Sequence, residues 1–302
     1  MDRKILYSIA FALLFANYAC ERKENPSPEE PFDFSTIDSE PAWSPDGQWI
    51  AFVHSSMPNH GIYLISPDGE EIHLWHQGIA SSPAWSPCEQ WIAFSQNAQI
   101  WKKKINGDSL TQLTFEGRNF FPAWSKCGSY IAHVQSVCNY IQCGLWLINL
   151  SEESNTPIVE YGTVPDFHPL TPKVLYKKSW IEAGGQHIGD SLYFYNLETG
   201  KTTYITRLSH HNYDNRYFKI SPSGDKIAFT SQSEITGAIR IWSMNIDGSQ
   251  LTQLTNSQSY SNAWSPCGSY IVYTDARSES GRFWIMNADG SNKRQLTFEH
   301  HF

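Results

Sequence analysis

The sequence predicts an all-β protein, a six-bladed β-propeller of four-stranded antiparallel blades. Three observations carry this. One twelve-residue phrase recurs six times along the 302 residues. Between its copies, β-forming segments and tight-turn residues return in the same order roughly every 40 residues, the period of propeller blades. The chain also holds 12 Trp, 15 Tyr and 16 Phe, a density of large rings that fits one packing position used many times.

The elements follow in chain order. Residues 1–19 read as a secretory signal: Arg3 and Lys4, then an apolar run from Ile5 to Ala16, shorter than the roughly 20 residues that span a bilayer as a helix. Ala19 followed by Cys20 resembles a bacterial lipoprotein signal, which implies acylation at Cys20. Asn17 stands where that signal usually has leucine, so ordinary cleavage with a free Cys20 is the alternative. Residues 20–40, Pro-rich and acidic, read as a solvated tether. The propeller is assigned to residues 41–302.

Its blades start near residues 41, 83, 122, 165, 218 and 262, with PAWSPDGQWIAF, PAWSPCEQWIAF, PAWSKCGSYIAH, PDFHPLTPKVLY, FKISPSGDKIAF and NAWSPCGSYIVY. The end of each phrase is an Ile- or Val-led triplet from Ile50, Ile92, Ile131, Val174, Ile227 and Ile271, which reads as a second strand. An apolar residue followed by Tyr or Trp, as in Ile62-Tyr63 and Ile241-Trp242, marks a third. Asp-Gly or Asn-Gly turns such as Asp68-Gly69 and Asn106-Gly107 follow, supplying the positive φ of a tight hairpin. A fourth strand is expected to end at Leu74, Leu113, Val159, Ile205, Leu254 and Leu296. Ten of the 12 Trp fall on these repeat positions and read as packing between blades; Trp75 and Trp180 do not. Each blade owns four consecutive strands, so closure is expected from packing between blades one and six.

The phrase Trp-Ser-Pro-Asp-Gly followed by Ile-Ala-Phe resembles the TolB-type propeller repeat, over residues 41–298. Blades one, two, three and six match closely. Blade four, with Phe167-His168-Pro169, is degenerate, and blade five keeps Ser221-Pro222 without the tryptophan. The resemblance implies a six-bladed propeller. TolB places a small α/β domain before its propeller, and the stretch from Cys20 to Pro41 is expected to be too short for one. Prolyl oligopeptidases follow a similar propeller with an α/β-hydrolase domain, for which the stretch after blade six is likewise expected to be too short. Oligogalacturonide lyases resemble the same propeller and use histidines around a metal, which supplies an enzyme alternative: a metal-dependent polysaccharide lyase.

The loops after second and fourth strands share one face and vary in length, and a scaffold with one varied face binds there. The richest loops flank blade four. They hold Trp180, Glu182, His187 and Asp190, then His210, His211, Tyr213, Asp214 and Arg216. Rings, arginine and imidazoles in such loops fit a binding patch; histidines with carboxylates also suit a divalent metal or acid–base chemistry, and a solvated polar loop is the plain alternative. Arg118 and Phe120, entering blade three, form a second patch. His133 stands in the aromatic slot of Phe52, Phe94 and Phe229 and reads as core. Cys88, Cys127 and Cys267 occupy equivalent turns and are expected to be free, being too far apart to bridge, whereas Cys138 and Cys143 share one loop and are expected to pair.

No G-x-S-x-G, H-E-x-x-H, Walker loop or zinc-type cysteine set occurs, so no catalytic residue, metal ligand or cofactor is assigned. Lys plus Arg total 22 against 30 acidic residues, a net charge of −8 with no basic block, which excludes a nucleic-acid footprint. The expectation is a monomeric, exported propeller that touches a membrane only through its lipid anchor, in the periplasm or on the outer membrane of a bacterium. There it binds an envelope protein or glycan without turning it over.

Overall fold

In the computed structural model, residues 37–56, 58–136, 144–181, 187–208, 216–232, 238–276 and 281–298 are described, with backbone only for Trp180, Ile181, His187, Ile188, Arg216 and Gln232. The signal segment, Cys20, Cys138, Cys143, Glu182, His210, His211, Tyr213 and Asp214 lie outside them. The described residues form six four-stranded antiparallel sheets, each made of four consecutive strands in order.

The innermost strands are Ile37–Trp43, Ala80–Trp85, Arg118–Trp124, Gly162–Phe167, Arg216–Ile220 and Ser259–Trp264. The first begins at Ile37, so residues 37–40, assigned to the tether from composition, belong to blade one. The second strands are Ile50–Ser55, Trp91–Gln96, Tyr130–Ser136, Lys173–Ile181, Lys226–Gln232 and Tyr270–Asp275. They read as unbroken apolar runs because both faces are covered. Ile50 and Phe52 face blade six, while Ala51 and Val53, one residue out of phase, face blade two. Six apolar clusters result, one for each joint between neighbouring blades.

Closure uses no shared strand, as the repeat order predicts. At the joint of blades one and six, Phe52 meets Phe283 edge to face with ring centroids 5.2 Å apart. Above them the Asp38 N–H donates to Gly281 O at 3.0 Å and Thr274 Oγ1 donates to Asp38 O at 2.9 Å. Repeat tryptophans stitch other joints, with Trp85 Nε1 donating to Ala42 O at 2.9 Å and Trp264 Nε1 to Lys219 O at 3.0 Å. Trp75, off the common pattern, is buried in the joint of blades one and two and donates to Ile105 O.

The fourth strands of blades two, five and six stop at Gln112, Gln253 and Gln295, one residue short of the leucine expected to end them. The cause is the threonine after each leucine. Buried Thr114, Thr255 and Thr297 offer Oγ1 to the N–H of Ile100, Ile241 and Phe283 at 2.8–2.9 Å, so a hydroxyl replaces the next ladder carbonyl.

In five blades the turn after the innermost strand is built on a serine hydroxyl, and in blade four His168 takes that place, its Nδ1 accepting the Leu170 N–H at 3.1 Å. Ser44 Oγ accepts the Trp49 N–H at 2.9 Å and donates to Asp46 Oδ1 at 2.5 Å, while Gly47 takes the positive φ of 74° that the turn needs. Cysteine replaces that aspartate in blades two, three and six, with Ser–Cys contacts of 3.3–3.4 Å. Cys88 and Cys127 are free and exposed. Cys267 is half of a disulfide, which corrects the expectation of three free thiols.

Candidate functional site

Every innermost strand slips register at the same height. The breaks fall between Ser39 and Ala42, Ser81 and Ala84, Thr163 and Asp166, Arg216 and Lys219, and Tyr260 and Asn262, with the matching break in blade three opposite Ala132 and Val134. One residue at each break has a left-handed backbone: Glu40, Ser82, Phe121, Val164 and Tyr217 at φ 54–56°, and Ser261 at 23°. None is glycine, and Val164 is β-branched, so each conformation costs on the order of 1–3 kcal/mol. In four blades the next residue is proline, Pro41, Pro83, Pro122 or Pro165, which has no N–H to lose from the ladder.

These bulges ring the propeller axis and enclose a cavity with about 50 Å³ open to the centres of water-sized molecules. One ordered water needs roughly 10–15 Å³ on that measure, so the space suits a few waters or one small group.

The cavity is polar on one side. Glu40 of blade one accepts the Ser82 N–H from blade two at 2.5 Å and stands 3.5 Å from the Tyr217 hydroxyl of blade five. Its own N–H donates to Ser261 Oγ of blade six at 3.1 Å. Glu40 keeps some surface open to the cavity, and protein encloses the rest. Burial therefore lifts its carboxyl above the usual carboxylate range, against the opposing pull of Ser82, Tyr217 and Lys219.

Asp166 and Lys219 form a second pair, 3.5 Å apart, across the joint of blades four and five. Asp166 also accepts the Ile220 N–H at 2.8 Å. Burial lifts the Asp166 carboxyl too, and Lys219 opposes the rise. These two residues occupy the slot that is Ala42, Ala84, Ala123 and Ala263 in the other blades. Asn262 completes this side: it is buried, its amide N–H donates to Tyr217 O at 2.8 Å, and its Oδ1 has no partner among the described residues.

Residues 28–188, just over half of the chain, match the model of the TolB beta propeller domain. The chain belongs to that family. Among solved structures this TolB-type propeller is similar to TolB from Acinetobacter baumannii, at 19% identity and TM-score 0.65, covering 87% of this chain and 64% of that one. It thus spans less than two thirds of that TolB's length. A putative TolB from Agrobacterium tumefaciens shares 19% identity at TM-score 0.64, covering 78% of this chain and 87% of that one. An oligogalacturonate lyase from Vibrio parahaemolyticus shares 10% identity at TM-score 0.57, covering 85% of this chain and 92% of that one. At these identities the likeness is one of fold. No curated protein matches the sequence.

The loop-face residues predicted from sequence fall on blades three, four and five of this TolB-type ring. Arg118 opens the innermost strand of blade three, Arg216 that of blade five, and His187 the third strand of blade four, while Trp180 is next to last in blade four's second strand. All four positions lie at the same end of their blades. The Arg118 guanidinium sits 5.7 Å from the centre of the half-buried Phe120 ring. Asp190 differs from the expectation, being fully buried, with its carboxylate taking Ser179 Oγ at 2.7 Å and Lys177 Nζ at 3.3 Å. It holds the base of the hairpin.

His133 is buried as expected, with Nε2 2.9 Å from Asn155 Oδ1, and burial holds its pKa below the usual imidazole value. One buried pair escaped the sequence reading altogether: Asp38 and His54, 2.8 Å apart in blade one. Among the described residues no three His, Cys, Asp or Glu side chains converge as a metal site would require.

Proposed function

We propose that the protein is a non-catalytic binding module of the bacterial envelope. Its N-terminal signal and a lipid on Cys20 hold it at a membrane, and the loop-rich face of blades three to five receives a protein or glycan. The observation that supports this reading is the gathering of Arg118 and Phe120, Trp180, His187 and Arg216 at one end of three consecutive blades. Arginine and aromatic side chains on a rigid rim are the residue types that anchor partners.

The test pairs the wild-type protein with a Trp180→Ala/Arg216→Ala variant in cross-linking and pull-down from envelope extracts. The expected result is a partner retained by wild type and lost by a variant of unchanged melting temperature; identical profiles would overturn the assignment of that face. Anchoring is read separately. Palmitate labelling abolished by Cys20→Ala supports it, and wild type found wholly in the soluble fraction refutes it. A gain in ultraviolet absorbance when the protein is incubated with divalent metal and uronate oligomers would replace the binding reading with the lyase one.

A further inference from the structure

The outer rim of blade four carries a strand edge that the other blades lack or protect. In blades two, five and six the outermost strand has two residues. In blade three it is Ser154–Glu160, interrupted by Pro157. In blade one it is Ile72–Gln77, where the Lys103 ammonium of blade two donates to Trp75 O at 2.9 Å. Short strands, proline and lysine are the usual protections of a sheet edge. Blade four ends on Thr202–Leu208, seven residues rich in β-formers, with no proline, lysine or acid among them.

The pairing of this strand decides which backbone groups look outward. The Asn196 N–H donates to Lys201 O at 2.9 Å, and the register continues with Tyr195 opposite Thr202, Phe194 opposite Thr203 and Tyr193 opposite Tyr204. Antiparallel alternation then turns the N–H and C=O of Thr203 inward and those of Thr202 and Tyr204 outward. The outward backbone groups of these two residues have no partner among the described residues. The register break of this pair of strands falls after them, at Ile205.

Side chains add to the same edge. Tyr176, Tyr193 and Tyr204 form a row across three strands of the blade, the first two rings stacked with centroids 5.5 Å apart and the last two edge to face at 5.6 Å. Tyr176 is buried and Tyr193 half-buried, whereas Tyr204 is 56% exposed. The row therefore stops at the rim with its last ring in solvent. Exposed Lys201 precedes the strand and exposed Arg207 lies within it, and Lys201 is in no ion pair among the described residues.

We propose that Thr202–Leu208 is a docking edge for an extended peptide segment of another protein, which joins blade four as a fifth, antiparallel strand. Backbone bonds to Thr202 and Tyr204 supply the pairing, and an aromatic or β-branched side chain opposite Tyr204 continues the row of rings. Acidic residues towards the ends of the segment complement Lys201 and Arg207. A glycan has no alternating N–H and C=O groups to offer this edge. The site lies on the outer rim, apart from the loop face, and stands without it.

The probe is a short blocked peptide with a central tyrosine, valine and threonine on either side and glutamate at both ends, titrated into the purified protein. Saturable one-to-one binding is expected. Tyr204→Pro removes an outward N–H and the terminal ring without taking a donor from the ladder, and should weaken binding about tenfold or more. Lys201→Glu, a change on an exposed turn, should weaken it about fivefold at low salt and keeps the test open if Tyr204→Pro does not fold. Hydrogen exchange locates the peptide: the Thr202 and Tyr204 amides should gain protection, while the Thr203 amide, already bonded within the blade, should not change. Absence of saturable binding, affinities indifferent to both variants, or protection that spares Thr202 and Tyr204 would overturn the proposal. Protection of the same two amides by dimerisation of the protein alone would assign the edge to a second copy and overturn it too.

Discussion

Glu40 Oε2 accepts the Ser82 N–H at 2.5 Å, so that an acidic side chain of the first blade caps the strained bulge of the second. The same carboxylate is lifted by burial. A carboxyl whose folded pKa exceeds its unfolded value contributes stability that is complete below the unfolded pKa and lost as pH rises through the folded one. Ionised Glu40 therefore costs stability at neutral pH. Glu40→Gln is expected to be more stable than wild type at pH 7, with the difference shrinking towards zero on acidification to the ordinary carboxylate range. Urea unfolding of both proteins across that window checks it, and a pH-independent difference would contradict the assignment.

The repeat tryptophans are not equivalent. Trp85 and Trp264 donate to carbonyls of the preceding blade, whereas the buried Trp124 Nε1 has no partner among the described residues. Trp85→Phe and Trp264→Phe should each cost about 1–3 kcal/mol more than Trp124→Phe, because they leave a carbonyl without its donor. Equal losses in equilibrium denaturation would reduce all three to ring packing.

At the closing joint, Phe283→Ala removes a fully buried ring facing Phe52 and should cost about 3–5 kcal/mol. The double-mutant cycle with Phe52→Ala should give a coupling of about 0.5–1.5 kcal/mol. Hydrogen exchange supplies the local readout. The Asp38 amide, bonded to Gly281 O across the joint, should lose protection more than the Ile220 amide, which bonds across the joint of blades four and five.

His133 gives a second pH dependence, of opposite direction. Its folded pKa lies below the usual value, so the unfolded chain takes up a proton first and stability falls as pH drops below about 6.5. His133→Phe places in blade three the ring that blades one, two and five already carry at this position. The variant's advantage over wild type should grow between pH 7 and pH 5 in thermal melts; a constant offset would mean that packing alone separates them.

The ring was legible in the sequence because each second strand is buried on both faces, which forces the same apolar triplet into all six copies. Trp43, Trp85, Trp124 and Trp264 marked the innermost strands for the same reason. The axial site was less visible. A left-handed backbone at Glu40 or Val164 leaves no trace in residue type, since such positions usually announce themselves by glycine. Asp38 was lost among the prolines and acids before it, although it pairs with a buried histidine. Asp166 and Lys219 were readable: they replace alanine in adjacent copies with opposite charges, a substitution that makes sense only if neighbouring blades meet there.

Each blade is an uninterrupted stretch of chain whose strands pair only with one another, so every joint is made without a shared strand, mostly by side chains and at the last also by the backbone bond from Asp38 N–H to Gly281 O. Duplication or loss of one repeat would change the membership of the ring without unpairing a single strand. The number six is therefore held by the wedge angle of the joints and by the polar ties across the axis. A lineage built this way can alter its central aperture in one genetic step and repack the joints afterwards.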